Sequence, residues 1–271
     1  MPIAPDFFWH TLPAPRHDLR QRLEDFETKE QVKERSASLC RVLEKGNWQH
    51  KRLAKRLRRC RQKKRCLAVP CPRCRRRYRL WCVGEKLRLW GRRGDVLFVT
   101  LIPPDLRLQQ GGLEGFEPRK FMERVRRQMQ RAGLGGIAIA GGVDVSWEED
   151  GNGEREGVWQ PHLHLIVAGC ETKQIKKALD RHYQPTAEVP QPLKIQKVED
   201  AVRQFSYCHK PFWTRRVSWT DEEGKRHRGP PLGLKVEQQR EAALFGSRLR
   251  PGELVMLSGV RQRGSRLVGE E

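Results

Sequence analysis

The segment "GIAIAGGVDVSWEEDGNGEREGVWQPHLHLIVAG", residues 136–169, decides the fold. Its beginning, "GIAIAGGVDVSW", and its end, "HLHLIVAG", are apolar and strand-like. The stretch between them, "EEDGNGEREG", is polar and rich in glycine. Two such runs joined by a loop of this length predict a wide hairpin. Side chains alternate across a strand, so His162, His164 and Ile166 share one face and Leu163, Leu165 and Val167 the other. On the partner strand Asp144 points away from the face used by Val143 and Val145. Its own face carries Ala138, Ala140 and Gly142, small residues that leave room.

The flanking segments extend this pattern. "GDVLFVTLIPPD", residues 94–105, reads as a strand buried on both faces and stopped by a proline pair. Phe121, Val125 and Met129 recur at four-residue steps ahead of Gly133, which predicts an amphipathic helix with a glycine stop. "TKQIKKALDRHY" reads as a helix capped by Thr172, with Ile175, Leu179 and His182 on one face. "VEDAVRQFSYCHK" reads as another, with Val198, Val202, Phe205 and Cys208 or His209 inward. Residues 16–64 read as helical and basic, with Leu19, Leu23 and Phe26, then Leu39 and Leu43, then Leu53 and Leu57 at helical spacing. Beyond Pro211 no strong core pattern is visible.

The expected fold class is therefore α+β, a central antiparallel sheet with flanking helices, preceded by a helical, Cys-rich zinc-knuckle segment. The expected regions are a basic helical part (1–59), a Cys-rich zinc-binding segment (60–92), a core (93–213) and an Arg/Gly/Pro-rich C-terminal region (214–271).

Lysine and arginine number 55 against 33 acidic residues, a net charge of +22, and the excess is concentrated in runs such as "KRLAKRLRRCRQKKRC". Such a surface attracts polyanions, with nucleic acid the first candidate. No apolar run approaches the ~20 residues that span a bilayer, and the N-terminus lacks the layout of a secretory signal. A soluble, cytoplasmic protein with no membrane partner is expected. The GxxxxGK[ST] phosphate loop is missing, which argues against an ATP-driven motor.

Five of the eight cysteines lie between positions 60 and 82. Clustered cysteines in a chain without an export signal point to metal before disulfides. Cys60, Cys66, Cys71 and Cys74, spaced C-x5-C-x4-C-x2-C, form a candidate structural Zn²⁺ site, and Cys82 or Cys40 could replace Cys60. Arg75, Arg76 and Arg77 follow directly and are candidate contacts to a DNA backbone.

The two histidines stand about 7 Å apart on one strand face, within reach of one ion. Asp144, placed opposite, would complete a His, His, carboxylate set suited to Mg²⁺ or Mn²⁺ with positions open for a phosphate oxygen. Tyr207 and Lys210 lie three apart, with Arg203 one turn earlier. A phenol is a poor nucleophile until positive charge stabilises its phenolate, which Lys210 or a metal would supply.

"VLFVTLIP", "WQPHLHLIV" and "YCHK", in that order, resemble the three motifs of the HUH endonuclease superfamily, above all the rolling-circle replication initiator (Rep) proteins of bacterial plasmids. "CRQKKRCLAVPCPRCRRR" is similar to the segment that precedes the first motif in many of them. The resemblance covers roughly residues 60–213. It implies an HUH nuclease-like core over 93–213, with His162, His164 and Asp144 holding a divalent ion. It also implies that Tyr207 attacks single-stranded origin DNA to leave a 5′-phosphotyrosine and a free 3′-hydroxyl, while Lys210 steadies the phenolate or a phosphate oxygen. Host helicase and polymerase are the implied partners. Gln160 stands where relatives often carry another histidine, and Arg203 where some carry a glutamate that activates water. A transposase or relaxase of a mobile element would use the same chemistry. A zinc-containing nucleic-acid-binding protein without catalysis would explain the charge and the cysteines alone.

Overall fold

The computed structural model describes residues 27–153 and 155–269. Leu19, Leu23 and Phe26 lie outside them. The chain opens with two helices, α1 (Lys29–Glu44) and α2 (Trp48–Arg58), separated at Lys45, Gly46 and Asn47. The break has a local cause. Asn47 accepts from the backbone N–H groups of Gln49 and His50, and His50 Nδ1 accepts in return from Asn47, so a new helix starts there. Gly46 fits because a Cβ would meet the His50 ring at 2.7 Å. Next comes α3 (Pro72–Trp90), with Pro72 in its first turn. The chain continues through β1 (Val96–Leu101), α4 (Pro118–Arg131), β2 (Ala138–Asp150), β3 (Val158–Ala168), α5 (Thr172–Leu179), β4 (Leu193–Lys197) and α6 (Ala201–Tyr207). It ends with β5 (Thr214–Thr220), β6 (Arg226–Arg228), α7 (Val236–Ser247), β7 (Val255–Ser258), β8 (Val260–Arg263) and β9 (Arg266–Gly269).

The architecture is α+β. The central sheet runs β4-β1-β3-β2-β5-β6, with β7 paired to β2 as well. The hairpin forms as expected, with β2 and β3 in register from Ala138↔Ala168 to Glu148↔Val158. The sheet is mixed rather than purely antiparallel, because β2 and β5 pair in parallel. β3 covers one edge of β2, while β7 and β5 share the other, β7 at residues 139–142 and β5 at 146–150. The C-terminal region, in which the sequence shows no strong core pattern, thus completes the central sheet.

Alternation decides the two faces. Leu97, Val99, Ile139, Val143, Leu163 and Leu165 pack against Phe121, Val125 and Met129 of α4, Ile175 of α5 and Phe245 of α7. Each such fully buried side chain contributes about 1.5–3 kcal/mol. The other face carries Val96, Phe98, Ala140 and Ile166 under Trp81 and Val83 of α3 and Val202 and Phe205 of α6. β8 and β9 close over α3, where Trp81 Nε1 donates to the Ser265 carbonyl at 2.8 Å and Glu85 accepts from the Leu267 N–H at 2.9 Å. The segment expected as a zinc unit over 60–92 therefore runs into a helix of the main core. At the far end of the hairpin Trp147 and Trp159 pack edge to face, 5.0 Å between centroids. Trp159 Nε1 donates to Glu241 of α7 at 2.9 Å, fixing that helix to the sheet.

Two local expectations change. Glu171, not Thr172, is the N-cap of α5, its backbone N–H bonded to the Gln174 side chain at 2.7 Å. The chain tightens into a 3₁₀ turn at Asp180–His182, which shifts the helical phase. His182 is consequently exposed, and Tyr183 takes the buried position.

Candidate metal and nucleophile site

Asp144, His162 and His164 meet on the α3/α6 face of the sheet. Register places Asp144 opposite His162 and Gly142 opposite His164. Their ligand atoms lie within 4.8 Å of one another, and all three residues are buried. His162 Nε2 stands 3.2 Å from Asp144 Oδ2, and His164 Nε2 stands 3.7 Å from it. His162 Nδ1 is 3.0 Å from the Gln160 carbonyl, which can only accept, so Nδ1 carries a proton. In the neutral ring the Nε2 lone pair then faces a carboxylate oxygen, an arrangement that calls for a cation between them. His164 Nδ1 bonds Thr100 Oγ1 at 3.0 Å, and its buried Nε2 has no hydrogen-bond partner. Imidazoles held through Nδ1 with Nε2 turned to a common point are prepared to ligate. These three residues can hold a metal ion.

The electrostatics agree. Burial holds His164 neutral, its pKa lowered to about 3. Burial alone would raise the Asp144 carboxyl, but the Lys210 ammonium beside it keeps it well below the ordinary carboxylate range. Lys210 Nζ lies 2.6 Å from Asp144 Oδ2. Burial opposes its charge, yet Asp144 raises its pKa above the usual value.

α6 ends at Tyr207, so Lys210 follows the helix rather than continuing it. The expected neighbourhood nevertheless forms, with Lys210 Nζ 4.1 Å from the Tyr207 ring centroid. That ring packs edge-on against His164, 4.7 Å between centroids, and against Phe98 at 5.9 Å. Tyr207 is 38% exposed at the rim of a cleft of about 740 Å³ that also takes in His162, His164 and Arg203. Tyr78 and Tyr183 are buried in the two cores at 1% and 2% exposure.

Helix α3 grips the turn that follows Tyr207 from behind. Arg75 donates to the Lys210 carbonyl at 2.6 Å, Arg79 Nε to Ser206 Oγ at 2.6 Å, and Lys86 Nζ lies 2.9 Å from His209 Nε2. Burial, then the positive charge of Lys86, holds His209 well below its ordinary pKa, so Nε2 accepts. Arg75, expected on a DNA backbone, is buried and works from inside as a support. Arg76 and Arg77 are half-buried, and Arg76 Nε donates to the Glu27 carbonyl at 3.5 Å. Sequence reasoning did not single out Thr100, Phe98, Arg79 or Lys86. The spacing of 75, 79 and 86 on one helix face was the available signal, masked by the surrounding arginines.

Gly142 shows why the small residues matter. A Cβ there would stand 2.5 Å from the Cys208 carbonyl oxygen and 3.2 Å from His209 Nδ1. Gly142→Ala is expected to push the 208–210 turn off the sheet, costing about 1–3 kcal/mol in urea denaturation. Gly136→Ala, where a Cβ meets nothing within 4 Å, is expected to stay within about 0.5 kcal/mol. Equal stability of the two variants would refute this account.

The second cluster joins Cys60, Cys66, Cys71 and Cys74, whose sulfurs also lie within 4.8 Å of one another. Cys71 is the N-cap of α3 and Cys74 sits in its first turn. Cys40 and Cys82 do not join: Cys40 Sγ faces the Ala54 carbonyl at 3.9 Å, and Cys82 packs in the α3/α6 core. Hydrogen bonds with Cys66, Cys71 and Cys74 lower the Cys60 thiol, and those with Cys60, Cys66 and Cys74 raise Cys71. Four sulfurs this close form one compact donor set, and this group too can bind a metal.

No family model matches the chain, and no curated protein or solved structure matches it. Among the described residues no helix is long and apolar enough to cross a membrane.

Asp144→Ala is expected to weaken Mn²⁺ binding by more than about 100-fold in calorimetric titration, since losing even an outer-shell partner costs ~10–100-fold. An affinity within tenfold of wild type would place the ligands elsewhere.

Proposed function

We propose that the chain is a metal-dependent, tyrosine-nucleophile DNA nickase and strand transferase of HUH type, acting as a rolling-circle replication initiator. The observation that carries this reading is the position of Tyr207. It is the one tyrosine among the described residues that is exposed, and it lies against His164 and under Lys210. Asp144, His162 and His164 would hold Mg²⁺ or Mn²⁺, which would supply charge neutralisation at a scissile phosphate. Tyr207 Oη gives up its proton and attacks phosphorus, a Tyr–O–P bond forms, the P–O3′ bond breaks and the departing O3′ takes up a proton. The DNA keeps a 5′-phosphotyrosine link and a free 3′-hydroxyl, so the phosphodiester energy is retained for rejoining. Lys210 stabilises the developing phenolate charge, and Arg203 on the cleft meets the incoming strand.

For the cysteine cluster, zinc is the proposed ion. A tetrahedron with Zn–S near 2.3 Å has S···S edges of about 3.8 Å, and Cys74 Sγ lies 3.6 Å from Cys60 Sγ and 3.7 Å from Cys66 Sγ.

The test is to incubate the chain with pooled single-stranded oligonucleotides and Mn²⁺, isolate any covalent adduct and map the modified peptide. DNA on Tyr207 is the expected result. Noncovalent binding without an adduct would favour the zinc-containing binding protein, and an adduct on another residue would overturn the assignment.

A further inference from the structure

Counting from Trp48, the residues at i+3, i+4, i+7 and i+11 are Lys51, Arg52, Lys55 and Arg59, a single outward stripe along α2. Its opposite side, His50, Leu53, Ala54 and Leu57, is buried. Trp48 is 67% exposed, well above Val236, the next of the large exposed hydrophobics at 47%. Among the described residues Lys51, Arg52, Lys55 and Arg59 make no ion pair. On α4 four of the six cations are paired, Lys120 with Glu117, Arg124 with Asp105, and Arg126 and Arg127 with Glu123, while Arg119 and Arg131 make no ion pair among the described residues. Like charges one turn apart oppose their own helix by a few tenths of a kcal/mol per pair. Here the helix is held by the Asn47 cap and its buried face in spite of them. Arg61, Lys63 and Lys64 continue the exposed charge past the helix end.

We infer that this stripe is a docking face for double-stranded DNA, separate from the cleft that contains Tyr207. An α-helix fits the B-form major groove, about 12 Å wide, whereas the deep, narrow major groove of A-form RNA does not admit it. A membrane surface is disfavoured because the apolar side of α2 is already buried in protein, leaving Trp48 alone to insert. Unpaired cations at successive turns suit a run of phosphates, each contact releasing counterions. The inference stands on this surface alone and does not depend on the nicking chemistry.

The experiment is fluorescence anisotropy of the intact chain with a 30-bp duplex across a KCl series. The variant K51Q/R52Q/K55Q/R59Q, whose four positions are exposed and unpaired, is expected to keep the wild-type melting temperature. Its slope of log affinity against log salt is expected to be shallower by about 3 to 4, at about 0.9 for each phosphate that is no longer neutralised. R119Q/K120Q/R127Q/R131Q removes the same charge from exposed positions of α4 and is expected to change affinity less than threefold. An unaltered slope in the first variant would overturn the inference. So would equal losses in both, which would reduce the effect to net charge. Retained duplex binding with lost binding to phosphatidylserine vesicles would assign the face to a membrane instead.

Discussion

Phenylalanine at position 207 is expected to abolish the covalent protein–DNA adduct, a fall of at least about 10⁴-fold with saturating oligonucleotide and Mn²⁺. The change removes one oxygen and little else. The ring that packs on His164 and Phe98 remains, and so does the face over which Lys210 Nζ sits. Because the residue is 38% exposed, stability should shift by no more than about 0.5 kcal/mol. Single-stranded DNA affinity should be retained as well. That separation makes the result diagnostic: a positioning tyrosine would lose binding along with rate, whereas a nucleophile loses only the bond-forming step. Lys210→Met gives the complementary result. It leaves the phenol but removes both the cation beside it and the partner of buried Asp144, so the rate should fall while a residual Tyr207 adduct persists. Nicking that survives in Tyr207→Phe would mean attack by water or another side chain, and the proposed chemistry would fail.

The site was legible where one strand face could be read by parity alone. His162, His164 and Asp144 alternate with Leu163, Val143 and Val145, and the core takes the apolar set. That leaves the polar set together on the other face. Tyr207 and Lys210 were also readable, although their contact comes from the turn after α6 and not from helical spacing. What escaped was the C-terminal part of the sheet. β5, "TRRVSWT", is pinned by ladder hydrogen bonds to β2 and by an Arg215–Glu149 pair at 3.0 Å. Neither leaves an apolar periodicity. α7 is anchored by Glu241 and by Phe245, Ala242 and Ala243, too few apolar positions to stand out among Gln, Glu and Arg. The α3 supports were hidden for another reason. Arginines that bury themselves by donating to a carbonyl or a hydroxyl look the same in sequence as arginines in solvent.

Those supports give the cysteine cluster a reach beyond its own fold. Cys74→Ser is expected to lower zinc stoichiometry and to destabilise the chain. A structural zinc supplies apparent binding energies of about 10–16 kcal/mol in small peptides. A loss of about 4 kcal/mol on removing one thiolate, at about 2–4 °C per kcal/mol, corresponds to a fall of roughly 8–16 °C in melting temperature. The first consequence is local. Cys60 follows α2, whereas Cys71 and Cys74 begin α3, so the cluster joins the α1–α2 pair to the main core, and residues 27–70 should become sensitive to protease. The second is remote. Arg75 lies one residue past Cys74, and Arg79 and Lys86 follow along α3 to Ser206 and His209. A frayed first turn would release Lys210 from Arg75 first, while Asp144, His162 and His164, carried on β2 and β3, stay in place. Adduct formation should therefore fall in Cys74→Ser while Mn²⁺ affinity holds within threefold. Cys170→Ser, a half-buried thiol outside the cluster, should change neither. Zinc retained in full with wild-type melting would remove the cluster from the structural role. A parallel loss of Mn²⁺ binding would mean that the damage travels through the sheet rather than along α3.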